Sequence, residues 1–408
     1  MTGEQSIPSN TQGTAPAAPN FITILRQMLG TSGKVSDLIF SPGRPPQVEL
    51  AGRLVPVAIT GLEKLTPAHT AGIAKLIIGN QESAAETLEK TGSADLSFSA
   101  PGEARFRVNI FKQRGTHAIV MRVIPQNPPK FEDFDLPVQL KEIAAMKNGI
   151  VLVTGPTGSG KSTTLAAIID LINETQSYHI VTIEDPIEFL HAHKNSTVHQ
   201  REVHSDTPGF AVALRAALRQ APKVILVGEM RDRETIEVAL EAAETGHLVL
   251  STLHTIDASK TIDRIIGVFP ATEEQTIRMR VAQSFRYIVS QRLVPRASGK
   301  GLIAIIEILK STMRTREYIE KGESDGKSLI DAMNQGDQDG MQTFDGVLEQ
   351  LIRNGTVTRE GAMPYASNSN NLLLRISDLD MASAPAKPTE TKPVKEKEKD
   401  SILDMIER

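Results

Sequence analysis

The feature of this sequence that most constrains its fold is a glycine-rich segment at residues 155–162, which lies between an apolar run and a helix-forming run. The segment reads Gly-Pro-Thr-Gly-Ser-Gly-Lys-Ser and fits the pattern G-x-x-x-x-G-K-[S/T]. Glycines let such a loop curl so that its backbone N–H groups point at phosphate oxygens, and the helix that follows presents its positive end to the same anions. Because a strand precedes the segment and a helix follows it, the segment predicts a nucleotide-binding loop rather than a chance glycine-rich turn.

Two side chains of this loop have specific predicted tasks. The Lys161 ammonium is expected to reach the outer phosphates, and the Ser162 hydroxyl is expected to bind Mg²⁺. The residues expected to contact the nucleotide are Gly155, Pro156, Thr157, Gly158, Ser159, Gly160, Lys161, Ser162 and Thr163.

The chain around this loop alternates apolar strands with helical runs. GIVLVTG, HIVTIED, KVILVGEM and HLVLSTLH predict strands, and helix-forming segments separate them. Continuous apolar strands with helices between them are typical of a parallel sheet covered on both faces. From His254 to about Asn370 the pattern predicts mostly helix.

The composition divides the chain into two domains with a tail at each end. Residues 21–124 predict a small α+β domain, and the proline-rich residues 125–137 predict a linker because prolines so closely spaced forbid a helix. Residues 138–376 form the predicted α/β domain. Residues 1–20 and 377–408 are polar and lack apolar periodicity, which predicts disordered tails.

Polar side chains follow three of the predicted strands. Glu184 and Glu188 come after HIVTI, Glu229 comes after VILV, and His254 comes after HLVLSTL. Ligands of parallel sheets bind beyond the carboxyl ends of the strands, so these groups are expected to face the glycine-rich loop. Carboxylates there could hold Mg²⁺, in part through water, or orient an attacking water. The alternative is that they are solvated loop residues or helix caps.

Arginines are the distinctive feature of the first domain. The alternation in ARFRVN places Arg105 and Arg107 on one face of a strand, and Arg114 and Arg122 follow on neighbouring segments. One interpretation is a solvated strand face. The other is that one or more of them supply positive charge to the phosphates, within the chain or across a subunit boundary, as an arginine finger does.

Charge and cysteine content exclude several classes of protein. Lys and Arg number 45 against 49 Asp and Glu, a formal net charge of −4, so we expect no direct nucleic-acid partner. The absence of cysteine excludes disulfide scaffolds, thiol nucleophiles and cysteine-ligated metal sites. No apolar run approaches the roughly 18 residues that cross a bilayer, and no secretory signal is visible. We therefore expect a cytoplasmic protein without a transmembrane segment.

Residues from about Phe21 to Ile376 resemble the type IV pilus twitching-motility ATPases, the PilT/PilU group of the secretion-type motor ATPases. The segments that carry the resemblance are GPTGSGKSTTLAA, TIEDPIEF, QREVHSDTPGF, LVGEMRDRETIEVALEAAETGHLVLSTLHT, TIDRIIGVFP and SQRLVP, with SDLIFSPGRPP and ARFRVNIFKQRG in the first domain. They occur in the order in which the family has them.

The resemblance implies an α/β fold in which a PAS-like N-terminal domain precedes a RecA-like P-loop ATPase core. It implies a homohexamer that holds ATP and Mg²⁺ between the two domains. The family's named boxes fall on residues 155–162 (Walker A), 182–188 (aspartate box), 224–229 (Walker B) and 245–254 (histidine box). The catalytic residues that follow from this are Glu229, Glu188, Glu184, His254, Arg107 and Arg114; Arg122 would contact the nucleotide from the first domain, and Ser162 and Glu229 would hold Mg²⁺.

The function implied is ATP hydrolysis that powers pilus retraction and twitching motility. The ring would dock on the cytoplasmic side of an inner-membrane pilus platform protein and work with related pilus ATPases. Three alternatives stay open on the sequence: an accessory retraction motor, an extension or secretion motor of the same superfamily, and a scaffold that binds ATP without hydrolysing it.

Overall fold

The structure is a computed structural model that describes residues 20–379. The tails predicted at residues 1–20 and 377–408 lie almost wholly outside the described residues. The described chain forms two β-sheets, one of six strands and one of seven.

The N-terminal sheet is antiparallel. Its strands are Val35–Phe40 (β1), Gln47–Leu50 (β2), Arg53–Pro56 (β3), Ser93–Ala100 (β4), Ala104–Gln113 (β5) and Thr116–Ile124 (β6), in the order β3-β2-β1-β6-β5-β4, and its helices are Phe21–Leu29 (α1), Pro67–Ile78 (α2) and Glu82–Thr91 (α3). On β5 the side chains of Phe106, Val108 and Ile110 are buried against the helices, whereas Arg107 on the other face is exposed. This alternation is the two-residue period expected of a half-buried strand.

The second sheet begins after two short 3₁₀ helices, Phe131–Asp133 and Val138–Ala145. Its strands are Gly149–Thr154 (β7), His179–Glu184 (β8), Thr197–Glu202 (β9), Val224–Val227 (β10), Leu248–Leu253 (β11), Phe285–Pro295 (β12) and Leu302–Lys310 (β13), in the order β13-β12-β7-β11-β10-β8-β9. All neighbours are parallel except β12 and β13, which pair antiparallel.

Ten helices of the described chain accompany this sheet. They are Lys161–Thr175 (α4), Phe210–Ala217 (α5), Arg233–Glu244 (α6), Ala258–Ile266 (α7), Glu274–Ser284 (α8), Met313–Lys321 (α9), Leu329–Asn334 (α10), Phe344–Arg353 (α11), Arg359–Ala362 (α12) and Ser369–Arg375 (α13). Every residue of β7, β10 and β11 is buried. Strands buried on both faces confirm the parallel sheet predicted from GIVLVTG, KVILVGEM and HLVLSTLH.

The prediction of mostly helix after His254 is wrong for residues 285–310. This stretch forms the β12–β13 hairpin, which adds β12 to the sheet beside β7. The runs FRYIVSQRLVP and LIAIIEILK are rich in aromatic and β-branched residues, which favour strands. A turn at residues 296–301 with Gly299 and Gly301 at positive φ separates the two runs, and this was the missed hairpin signal.

Among residues 20–379, no helix is both long enough and apolar enough to cross a membrane.

Candidate nucleotide-binding site

The phosphate loop lies between the buried end of β7 and the start of α4. Gly155, Gly158 and Gly160 have φ values of 142°, 79° and 89°. Residues with side chains rarely adopt such values, so glycine is required at all three positions. At Gly155 the requirement is doubled, because an added Cβ would collide with the Gln291 carbonyl.

Lys161 opens α4 and folds back over this loop. Its ammonium donates hydrogen bonds of 3.0 Å to the carbonyls of Gly155 and Pro156, and only 8% of the residue is exposed. Burial lowers the pKa of Lys161, while the carboxylates of Glu229 and Glu188 act in the opposite direction. The ammonium is therefore held at the loop by the two carbonyls, where it can meet a phosphate.

A cleft of about 450 Å³ opens beside the loop and collects most of the predicted site residues. Its polar lining comprises Thr157, Gly158, Gly160, Lys161, Ser162, Thr163, Glu184, Asp185, Glu188, His191, Gly228, Glu229, Arg231, Thr252 and His254. Of the remaining predicted loop residues, Gly155 and Ser159 are buried behind the lining, and Pro156 is exposed. The carboxyl ends of β8, β10 and β11 thus bring together the acids and the imidazole that the sequence places after each strand.

Glu229 lies at the centre of this acidic edge. Its carboxylate is 3.5 Å from His254 Nε2, and Arg231 Nε donates to the same oxygen. The side chain of Glu229 is 17% exposed, whereas that of Arg231 is 74% exposed. This acid is therefore held by an arginine and an imidazole while staying accessible from the cleft.

Glu184 is held by one residue of its own strand, β8, and one residue of the neighbouring strand β9. Thr182 Oγ1 and Gln200 Nε2 donate to Glu184 Oε1 at 2.6 and 3.1 Å. Burial raises the pKa of Glu184, and the two donors partly offset that rise. A buried carboxyl with a raised pKa in a cleft is the environment of a group that can take up a proton.

The arginines of the first domain do not line this cleft in their own chain. Cross-strand register sets Arg107 on β5 beside Arg122 on β6, and Arg122 Nε donates to Asp37 Oδ1 at 3.0 Å. Arg107 borders a separate cleft of about 380 Å³, shared with Asp185 and His204, and has no hydrogen-bond or ion-pair partner among the described residues. Arg114 lies in the β5–β6 turn with a φ of 49°.

Two residues of the site were missed at the sequence level. Gln200 holds the segment after β8 through three hydrogen bonds, to Glu184, to the Phe189 carbonyl and from the His191 N–H. Arg231 lines the cleft beside Glu229. Both lie in segments that carry the family resemblance, QREVHSDTPGF and LVGEMRDRE, which was the available signal.

The Mg²⁺ expected with a nucleotide fits the groups present. Ser162 and Glu229, the two predicted ligands, both line the cleft and offer a hydroxyl and a carboxylate. Oxygen donors of this kind are the ligands that Mg²⁺ prefers.

A parallel sheet, a glycine loop that opens a helix, and acids at the neighbouring strand ends define a P-loop nucleotide-binding protein. Comparison with known proteins narrows this class. Residues 77–311 match the family described as type II/IV secretion system protein.

Similar proteins extend the match over most of the chain. The type IV pilus retractation ATPase PilT of Pseudomonas aeruginosa is 43% identical over 349 residues, 85% of this chain and 99% of that protein. The type IV pilus ATPase PilU of the same organism is 41% identical over 369 residues, 89% of this chain and 94% of that protein. A crystal structure of the pilus retraction motor PilT with bound ADP is 40% identical, with a TM-score of 0.76 over 86% of this chain and 98% of that one.

The chain therefore belongs to the type II/IV secretion system family and, within it, to the PilT/PilU group of ATPases. This confirms the resemblance, the enzyme class and the α/β P-loop ATPase fold.

Proposed function

We propose that this protein hydrolyses ATP in a hexameric ring and uses the energy to power type IV pilus retraction and twitching motility. The observation that carries the proposal is the convergence of Lys161, the acids Glu184, Glu188 and Glu229, and His254 on one cleft beside a phosphate loop. The family membership supplies the biological setting.

The phosphates would be gripped by the loop N–H groups and by Lys161, which already faces the loop carbonyls. Ser162 and Glu229 would hold Mg²⁺, partly through water, and Mg²⁺ when bound neutralises charge on the phosphate oxygens. We assign the remaining loop contacts to residues 155–163.

Water attack on the outer phosphate needs a group that orients the water and accepts its proton. Glu184 and Glu188 are our candidates, because both line the cleft and burial raises the pKa of Glu184. His254 would keep Glu229 in place through the 3.5 Å contact between them. Arg231 bonds the same acid from the exposed side.

The first domain would complete the site of a neighbouring subunit. Arg107 is exposed, has no partner among the described residues, and lies outside the cleft of its own chain. An unpaired arginine is suited to stabilise charge on a transferred phosphoryl group, and a closed ring gives each cleft an adjacent subunit to supply it. We assign Arg107 and Arg114 this role and Arg122 a supporting contact.

Movement would arise between domains at residues 21–124 and 138–376, joined by residues 125–137. Within one chain the two domains are connected by the ion pair of Arg105 with Glu202 at 2.9 Å, and the linker is held to the core by the Leu190 N–H, which donates to the Pro125 carbonyl at 3.2 Å. Because such connections are few, the two domains could rotate relative to each other when ATP is hydrolysed. The ring would pass this motion to an inner-membrane platform protein from the cytoplasmic side, working with related pilus ATPases.

The test compares Lys161→Ala with Lys147→Ala, an exposed lysine bonded to the Tyr178 hydroxyl outside the cleft. Steady-state phosphate release should be abolished in the first variant and unchanged in the second. In cells, Lys161→Ala should leave abundant surface pili that do not retract. Bald cells would instead indicate an extension motor, and a wild-type protein that binds ATP without releasing phosphate would indicate a scaffold.

An accessory retraction motor is the second candidate, because PilU aligns with slightly more of this chain than PilT does, 89% against 85%. In that case deletion should weaken retraction under load while twitching on soft surfaces persists. Loss of all retraction after a single deletion would favour the principal motor.

A further inference from the structure

One residue of the SQRLVP segment, Gln291, lies buried behind the phosphate loop. Strand β12 runs parallel to β7 with Ser290 opposite Thr154, the last residue of β7. Gln291 is therefore at the level where the chain leaves the sheet and enters the loop. It is 3% exposed, and a buried amide is kept only where its polar atoms find partners.

The side chain of Gln291 reaches the first turn of α4. Thr164 Oγ1, itself in a residue only 2% exposed, donates to Gln291 Oε1 at 2.9 Å. The amide nitrogen is so close to Gly160 that a Cβ there would lie 2.9 Å from it. The end of the loop thus rests against this amide.

The backbone of Gln291 reaches the other end of the loop. Its carbonyl occupies the space that a Cβ at Gly155 would need. Beside it, Thr154 Oγ1 donates to Ser290 Oγ at 3.1 Å. One strand therefore contacts the residues on both sides of the loop, before it begins and after it ends.

We propose that Gln291 is a positioning residue for nucleotide binding: it fixes the separation between the two ends of the phosphate loop and so aims the loop N–H groups and Lys161 at the phosphates. The inference rests on the proposed function, since the loop must bind a nucleotide. Positioning of this kind acts on affinity through geometry, because buried shape and hydrogen bonds hold a binding group more accurately than a free loop does.

The test measures binding of ADP, as a fluorescent analogue, to the full-length protein and three variants. Gln291→Met keeps the length of the side chain and removes its amide, and Thr164→Val keeps the shape of the partner and removes its donor. Gln342→Met is the matched control, because Gln342 Nε2 bonds the Ile306 carbonyl on the same hairpin away from the loop.

We expect Kd for ADP to rise about tenfold in Gln291→Met and severalfold in Thr164→Val, as the loss of one buried hydrogen bond predicts. The double variant should bind no more weakly than Gln291→Met alone, because both changes remove the same bond. Gln342→Met should lower the unfolding temperature without changing Kd.

Three results would overturn the inference. One is unchanged affinity in Gln291→Met, and another is a loss of affinity in Gln342→Met as large as that in Gln291→Met. Should Gln291→Met fail to fold, unchanged affinity in Thr164→Val would decide against it. The wild-type protein separates failure of the inference from failure of the proposed function. If it binds ADP and the variants behave as in one of these three results, only the inference fails; if it does not bind ADP, the proposed function fails as well.

Discussion

The phosphate cleft and the arginine-bearing face of the N-terminal sheet differ in how their charges are partnered. In the cleft, Lys161 and Glu229 each contact other groups of the same chain. On the sheet face, Arg122 is paired with Asp37, but Arg107 has no such partner among residues 20–379. The charged groups of the cleft are therefore paired within the chain, whereas the sheet face carries a cation that no residue among 20–379 pairs.

This difference indicates which residue could supply the cleft with the additional positive charge that phosphoryl transfer needs. The cleft lining includes one arginine among the described residues, Arg231, and its guanidinium is bonded to Glu229. A phosphoryl-transfer site needs additional positive charge in the transition state. We infer that the two regions are complementary halves of one site, which different subunits contribute.

Glu229→Gln tests the cleft half and should have the largest effect. Phosphate release should fall by about 10³-fold, because an uncharged amide cannot share in Mg²⁺ binding or in orienting water, while ATP binding persists. The control is Glu241→Gln, which changes an exposed acid on α6, the helix that follows Glu229 in the chain. Phosphate release above a tenth of the wild-type rate would contradict the assignment.

Arg107→Ala tests the other half. The turnover rate should fall by at least about 10²-fold, toward the range reported for arginine fingers, with little change in nucleotide affinity. Arg122→Ala should have a smaller effect, because Arg122 is already paired with Asp37. Equal turnover in the Arg107 variant and the wild-type protein would show that this face only meets solvent.

Arg105→Met tests the ion pair that connects strand β5 of the N-terminal sheet to strand β9 of the second sheet. Glu202 is almost fully buried and Arg105 is its cationic partner. Removing one member of a buried pair costs about 3–5 kcal/mol of unfolding free energy. Denaturant unfolding should show this loss, and Arg107→Ala, which breaks no pair, should unfold like the wild-type protein. Equal stability of the wild-type protein, Arg105→Met and Arg107→Ala would show that the Arg105–Glu202 ion pair does not stabilise the fold.

The smallest expected effect concerns Glu307, a buried acid on β13, and is measured as a change of stability with pH. Burial raises the pKa of Glu307 to about 7, with the Ala258 N–H as a partly offsetting donor. Because the folded pKa lies above the unfolded value, the contribution to stability is complete below about pH 4.5 and is lost as the pH rises to about 7.

The contribution of Glu307 to the free energy of unfolding should therefore fall across that window by at most about 3 kcal/mol. Glu307→Gln should reduce this slope, and the slope that remains should include the share of Glu184, whose pKa burial also raises. Glu317→Gln, an exposed acid on α9, should leave the slope in place. An unchanged slope in Glu307→Gln would assign the pH dependence to other groups.

Much of this molecule could be predicted from its sequence because the decisive patterns are local. The segment at residues 149–175 specifies a strand, a loop and a helix by its own composition, and the burial of β7 and β11 follows from their apolar runs. Acids placed directly after strands reach a common edge whatever the details of packing. The cleft was therefore predictable from Glu184, Glu229 and His254 alone.

The rest depended on contacts between distant segments. Strands β12 and β13 were missed because a short apolar run reads alike as a strand or as a buried helix, and pairing with β7 decides between them. The role of Gln291 is invisible without that pairing. Alternation placed Arg105 and Arg107 on one face but could not show that Arg105 binds Glu202 while Arg107 has no partner in the part of the chain that the structure describes.

The most direct test of the central claim mixes two inactive subunits in one ring. Coexpressed Lys161→Ala and Arg107→Ala chains would form some interfaces in which an intact phosphate loop meets an intact Arg107 from the neighbouring subunit. Subunit complementarity predicts that the mixed rings regain phosphate release, up to about a quarter of the wild-type rate for random equal mixing, since one interface type in four is complete. Mixed rings as inactive as either parent would place the arginine and the loop of each working site in the same chain and contradict the account.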